Sequence, residues 1–193
     1  MRFTLSLCCF VILLSGCDID QAGPKSSNGF FQTVIEIPAG TNKKMELDKG
    51  SGEIRQDIKD GLPRVIDYMP YPGNYGYVPG TKMTSDNGGD GDALDVLIIC
   101  ESLPIGTVLE FEPIAMIKLI DEGEIDNKIV GVPVDPEYRL FEASTFYDFQ
   151  LACKQCPKII QLWFENYSDD KVLFQGWEDE SIAISEIERW TVE

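Results

Sequence analysis

Apolar and polar residues alternate through the first two thirds of the chain in short runs that end at glycine or proline. Val34-Ile35-Glu36-Ile37-Pro38 reads as a strand, and in Lys44 to Asp48 the apolar Met45 and Leu47 alternate with charged neighbours. Gly61-Leu62-Pro63 marks a turn, and Tyr71-Pro72-Gly73-Asn74-Tyr75-Gly76-Tyr77 reads as a turn-rich segment of rigid rings. Val96–Ile99, Val108–Phe111, Ile114–Ile120 and Lys128–Val132 complete the strands, with breaks at Pro104, Gly106 and Gly123. Then the period lengthens. Pro157 suits the first position of a helix, and Ile159, Trp163 and Tyr167 recur at i, i+4 and i+8, with Ile160 and Phe164 widening the stripe. Tyr167 ends that stripe either as a core ring or as a group that reaches a site. Glu180 to Trp190 reads as a second helix, with Ala183, Ile187 and Trp190 on one face. Short strands followed by two helices predict one α+β domain over residues 30–193, its strands wholly or partly closed into a β-barrel.

The beginning of the chain follows a different pattern. Arg2 precedes an almost wholly apolar Leu5 to Leu14, and Leu14-Ser15-Gly16-Cys17 follows. That is a secretory signal, residues 1–16, too short for a good membrane span. Its end resembles a bacterial lipobox, which implies lipidation of Cys17 and a polar tether over residues 17–29. The expected location is extracytoplasmic, periplasmic or at the cell surface, with the membrane reached through the lipid anchor only.

Hydrophobic residues form 44% and charged residues 25% of 193, the balance of one ordinary globular domain. The net charge of −17 makes nucleic acid a poor partner, and an anionic substrate would need divalent metal to neutralise the field. There is no histidine, which removes His-based triads, bases and metal ligands. After loss of Cys8 and Cys9 and lipidation of Cys17, Cys100, Cys153 and Cys156 remain. Cys153-Lys154-Gln155-Cys156 lacks the second pair a zinc site needs, and reads as a pair on or near a helix, with its redox state left open by the sequence.

Asp90, Asp92 and Asp95 sit where a glycine-bearing loop becomes an apolar strand. Crowded carboxylates raise one another's pKa unless a cation lies among them, and oxygen ligands suit Mg²⁺ or Ca²⁺. An EF-hand frame beginning at Asp86 places Leu97 where a glutamate is required, so that reading fails. A second cluster, Asp121-Glu122-Gly123-Glu124-Ile125-Asp126-Asn127-Lys128, also lies between strands. Taken singly, each cluster reads as a solvated loop; together they could converge on two or more Mg²⁺ ions. Lys44, Arg64, Tyr75 and Lys128 are suited to phosphate oxygens, though each alone reads as a surface lysine, a rim ion pair or a buried ring. With no nucleophilic motif, the set fits metal-assisted phosphoryl transfer to water.

Asp90-Gly91-Asp92-Ala93-Leu94-Asp95-Val96 resembles the signature of the family I soluble inorganic pyrophosphatases, which usually has proline where Ala93 stands. Val34–Pro38, Lys44-Met45-Glu46, Tyr71–Tyr77, Asp121–Lys128, Phe164-Glu165-Asn166-Tyr167 and Gly176-Trp177-Glu178 follow in family order, covering roughly residues 30–193. The resemblance implies a five-stranded OB-like barrel with peripheral strands and two C-terminal helices, a homo-oligomer, and hydrolysis of pyrophosphate with several Mg²⁺ ions. It further implies that Asp90, Asp95 and Asp126 bind activating metal, joined by Asp121 when substrate arrives. Glu36, Glu46 and Glu122 would bind metal or its waters, and Asp92 would be the general base or would orient the attacking water between two metals. Lys44, Arg64, Tyr75, Lys128 and Tyr167 would contact the substrate, with Tyr71 near Asp92. The chain departs from the bacterial pattern at Ser168, where lysine is common, leaving Lys171 as a candidate stand-in, and slightly in the spacing from Arg64 to Tyr71. Without the resemblance, the same residues leave open another small phosphate ester as substrate, or an acidic Ca²⁺-binding lipoprotein.

Overall fold

A computed structural model describes residue 19 and residues 22–168 and 171–192. The expected signal peptide, residues 1–16, and Cys17 lie outside the described residues. The strands in chain order are β1 Phe31–Ile37, β2 Met45–Leu47, β3 Ile54–Gln56, β4 Ile58–Lys59, β5 Leu62–Pro63, β6 Asn74–Tyr77 and β7 Asp95–Ile98. They continue with β8 Val108–Asp121, β9 Glu124–Ile125 and β10 Lys128–Pro133. After helices α1 Phe146–Ala152 and α2 Cys156–Asn166 come β11 Leu173–Asp179 and helix α3 Glu180–Trp190.

The main sheet runs β1-β6-β7-β10-β8-β11, and β1 also pairs with β8, so five strands form a hydrogen-bonded circuit. All pairings in that circuit are antiparallel except β7 with β10. β8 serves several partners because it is 14 residues long and changes register at Pro113 opposite Gly131, where the ladder is irregular and a missing N–H is tolerated. The two expected strands Val108–Phe111 and Ile114–Ile120 are therefore one.

Three expectations need correction. Tyr71–Tyr77 does not remain a turn, because Asn74–Tyr77 is buried as β6 between β1 and β7. Gly76 makes this possible: a Cβ there would lie 1.9 Å from the Val34 carbonyl oxygen, so only glycine lets β1 and β6 approach so closely. The helical stripe on α2 is Ile160, Trp163, Phe164 and Tyr167, while Ile159 faces solvent, as the spacing i, i+3, i+4, i+7 favours. Among the described residues the α-helices number three, since α1 was not expected; its seven residues are too few to show a period. Residues 24–29, within the expected tether, fold back on the domain. Gln32 N donates to the Pro24 carbonyl (3.1 Å), Ser26 N to that of Phe30 (2.8 Å), and Asn28 Nδ2 to Glu110 Oε1 (3.0 Å).

Strand alternation divides the core. On β7, Leu97 packs with Ile117, Val130, Trp163 and Phe164 on the side of α1 and α2. Val96 and Ile98 face Ile35, Phe111, Ala183, Ile187 and Trp190 on the side of α3. α3 starts at an Asp179 cap that accepts from Ser181 N (3.0 Å) and Ile182 N (3.1 Å). Its buried Glu186 accepts from Trp190 Nε1 (2.9 Å) and Asn127 Nδ2 (2.8 Å), which fixes the chain just before β10 from behind. Cys153 and Cys156 form a disulfide joining the end of α1 to the start of α2.

Gly76→Ala tests the close approach of β1 and β6. The methyl group meets backbone that cannot yield, so urea denaturation should show a loss of at least ~3 kcal/mol.

Candidate active site

Asp95 and Leu97 share a face of β7, which points Asp95 into a pocket of about 730 Å³. Cross-strand register builds its floor. Asp95 lies opposite Tyr77 on β6 and opposite Lys128 on the parallel β10. The buried Lys128 ammonium bonds both Asp95 and Asp126, and the Tyr75 hydroxyl donates to Asp95 Oδ2 at 2.6 Å. Lys44 and Lys128 each lie 5.9 Å from the Tyr75 ring centre, so one aromatic ring serves two cations. Behind Tyr75, Tyr71 packs at 5.4 Å and Trp163 packs on Tyr71 at 4.6 Å, with Tyr167 stacked on Trp163 at 4.8 Å.

The walls come from loops. Gly91, at φ +90°, turns the chain between Asp90 and Asp92, and Asp92 N donates to Asp90 Oδ1 (2.8 Å). Hydrogen bonds from Met83 N to the Asp92 carbonyl (2.7 Å) and from Gly91 N to the Met83 carbonyl (2.7 Å) pin this loop. Glu36 projects from β1 and accepts from Leu47 N (2.7 Å), tying it to β2, which carries Glu46. Glu46 pairs with Lys44 (3.1 Å), and Arg64 pairs with Asp57 (3.3 Å). Asp121 and Glu122 close the far side, and Tyr167 enters at the end of α2.

Among the described residues, every expected site residue except Tyr71 lines this one pocket. Tyr71 is buried and packs on Tyr75, outside the pocket lining. Lys171 is exposed and does not line the pocket. The sequence reading missed Tyr77, Asp48 and Lys49, which do. Tyr77 falls on the Tyr75 face by alternation, visible once β6 is known to be a strand. Lys49 had a signal too, since Asp48-Lys49-Gly50-Ser51-Gly52 is a hairpin-tip composition next to a strand that follows Lys44 and carries Glu46.

The electrostatics show carboxylates in excess of cations. Burial, reinforced by Asp95 and opposed by the Leu47 N–H, pushes the Glu36 carboxyl up to about 8. Burial pushes Asp126 up to about 6 against the pull of Lys128, and burial raises Asp90 as well. Burial alone would lower Lys128, but Asp126 and Asp95 hold it well above the usual lysine range. Lys44 follows the same logic, with Glu46 and Asp95 outweighing burial. Burial also raises Tyr75, Tyr71 and Tyr167, keeping the hydroxyls as donors. Asp121 Oδ1 is buried without a hydrogen-bond partner among the described residues. It also lines a smaller cleft of about 100 Å³ with Asp90, Glu122, Glu124 and Asp126.

These residues fit hard divalent cations. The donors are all oxygen, one is orphaned, and others resist ionisation. Among the described residues no three carboxylates form a ready-made cage.

Comparison with known proteins gives one answer. The inorganic pyrophosphatase family profile matches residues 33–193. Inorganic pyrophosphatase 2 of Pseudomonas syringae pv. tomato is 39% identical over 153 residues, covering 76% of this chain and 75% of its own. The Gluconobacter oxydans inorganic pyrophosphatase is 33% identical over 172 residues, covering 86% and 92%. Among solved structures, the Thermus thermophilus inorganic pyrophosphatase superposes with a TM-score of 0.76 at 27% identity, covering 91% and 97%. A truncated Trypanosoma cruzi vacuolar soluble pyrophosphatase, solved with PPi, gives 0.76 at 27% identity, covering 83% and 67%.

A carboxyl with a raised pKa holds a proton that an arriving cation must displace. Divalent-cation binding should therefore release protons and tighten as pH rises through the window from about 6 for Asp126 to about 8 for Glu36. Calorimetry in buffers of different ionisation enthalpy measures this, and a pH-independent affinity would contradict it.

Proposed function

The chain belongs to the inorganic pyrophosphatase family, and from that premise we propose that the pocket around Asp92 is where it hydrolyses pyrophosphate to two phosphates, with Mg²⁺ as the metal. The family activity is metal-dependent hydrolysis of this phosphoric anhydride. The observation that carries the site assignment is the convergence of Asp90, Asp92, Asp95, Asp121 and Asp126 with Lys44, Arg64 and Lys128 on a single pocket. The strand circuit supports the OB-like barrel that the sequence resemblance implies.

Asp90, Asp95 and Asp126 would hold activating Mg²⁺, with Asp121 joining when substrate is present and Glu36, Glu46 and Glu122 completing the shell directly or through water. Bound Mg²⁺ supplies neutralisation of the substrate's charge and makes water more acidic. Asp92 takes the proton of the attacking water as its oxygen bonds to phosphorus and the bridging P–O bond breaks. It suits that role because it stands exposed at the loop tip, without a buried lysine clamped to it. Lys44 and Arg64 meet the phosphate oxygens and stabilise charge on the departing phosphate. Lys128, Tyr75 and Tyr167 present donors from the floor and side. Tyr71 acts at one remove, by holding the Tyr75 ring.

The location and assembly are also proposals. A lipid-anchored, extracytoplasmic enzyme is supported by the signal-like residues 1–17 and by the Cys153–Cys156 disulfide, which suits an oxidising compartment. Among the described residues no helix is long and apolar enough to cross a membrane. A homo-oligomer is supported by Tyr147 and Leu151, adjacent apolar side chains exposed on α1.

Phosphate release from pyrophosphate, compared with a panel of phosphate esters and with Mg²⁺ withheld, tests the function; no Mg²⁺-dependent release would overturn it. Asp92→Asn should lower kcat by about 10²-fold or more with an unchanged melting temperature. Near-native turnover in that variant would remove Asp92 from the role of base. Cys17→Ser should move the protein from the membrane to the soluble fraction of its source cells.

A further inference from the structure

Four cations face the pocket: Lys44, Lys49, Arg64 and Lys128. Three are committed. The Lys128 side chain is 5% exposed between two aspartates, Lys44 is 17% exposed on Glu46, and Arg64 is 24% exposed on Asp57. Lys49 is different. Its side chain is 73% exposed, and it bonds Asp92 across a sequence separation of 43 residues.

Hydrogen bonds hold the backbone beneath Lys49, although its side chain is exposed. Asp48 Oδ1 accepts from Gly50 N (2.9 Å) and Ser51 N (2.8 Å), and Gly52 N donates to the Asp48 carbonyl (2.8 Å). Asp48 N in turn donates to the Glu53 carbonyl (2.9 Å), closing the β2–β3 hairpin. Hydrogen bonds from Ser51 and Gly50 hold the Asp48 carboxyl below the usual range, so this turn stays intact at neutral pH. The result is a hydrogen-bonded tip that carries one exposed ammonium over the proposed base.

We infer that Lys49 is a substrate-binding and positioning residue that exchanges Asp92 for a pyrophosphate oxygen when substrate enters. This rests on the proposed function of the same pocket. An exposed lysine–aspartate pair is weak and breaks readily. A phosphoryl group offers several charged oxygens to the ammonium where Asp92 offers one carboxylate. Before substrate arrives, the pair occupies the oxygen that must later accept the water's proton. Once the ammonium moves to the substrate, Asp92 Oδ1 is free to act. Substrate binding and exposure of the base are thus one event, and no other cation in the pocket is placed for it.

The test uses Lys49→Ala and Lys49→Arg in the full chain with Mg²⁺. Lys49→Ala should raise KM for pyrophosphate about tenfold, with kcat changed less than about threefold, and Lys49→Arg should recover most of the loss. A direct measurement separates substrate contact from mere support of Asp92. Calorimetric binding of methylenebisphosphonate, which is not hydrolysed, should weaken about tenfold on Lys49→Ala even in the Asp92→Asn background. Unchanged bisphosphonate affinity, or an arginine variant no better than alanine, overturns the inference. A lowered melting temperature with unaltered binding also overturns it, by making Lys49 structural. If the wild-type protein releases no phosphate from pyrophosphate, the functional reading falls, while the bisphosphonate measurement still decides the role of Lys49.

Discussion

Lys128 is buried between Asp95 and Asp126, and much of the surrounding architecture serves to keep that ammonium in place. An isolated buried ammonium is too costly to survive, so its position requires partners of opposite charge within bonding distance. Two carboxylates meet that need, and the Tyr75 hydroxyl satisfies more of Asp95. Removing the lysine would leave those carboxylates facing each other in a low-dielectric floor, a loss of ~3–5 kcal/mol by analogy with other broken buried pairs. The same arrangement leaves the pocket short of positive charge, because one lysine cannot neutralise Asp95, Asp126, Asp90, Asp121 and Glu36 together. The excess is what makes the site receptive to divalent ions.

The strand circuit follows from the requirement to place Lys128. Asp95 and Lys128 each begin a strand, and the parallel pairing of β7 with β10 sets them side by side. A parallel pair needs a long connection, and β8 with its β9 hairpin provides it while carrying Asp121 to the rim. From the other side, Asn127 is held by Glu186 of α3, so the segment between Asp126 and Lys128 is fixed in the core and at the site at once. The aromatic stack of Tyr75, Tyr71, Trp163 and Tyr167 does the same for the opposite wall. Strands and rings therefore position the floor, while the Asp90–Asp92 and Asp48–Gly52 turns carry Asp92 and Lys49, the groups proposed to meet water and substrate.

Much of this was legible from residues alone. The acidic loops, the absence of histidine and the cations near turns pointed to metal-assisted attack by water, and these residues do share a pocket. Lysine and aspartate in these positions carry their chemistry wherever the fold takes them, so pattern and motif sufficed to name them. β6 was harder, because proline, glycine and asparagine in Tyr71–Tyr77 are turn formers and only contact with β1 and β7 makes the segment a strand. Ile159 and Ile160 are equally apolar, and the placement of α2 against the sheet decided which was buried.

The sequence by itself determined the chemical inventory: an acidic, histidine-free domain of short strands and late helices, with oxygen ligands for hard cations and a family signature at Asp90–Asp95. Those properties depend on side-chain identity and local spacing, which the chain carries unfolded. Only the tertiary structure decided which groups meet. It set Lys128 between Asp95 and Asp126, withdrew Tyr71 behind Tyr75, and brought Lys49 from a separate hairpin onto Asp92. The Lys128–Asp95 and Lys49–Asp92 pairs join residues 33 and 43 positions apart, and strand register, written in no single segment, brings them within bonding distance.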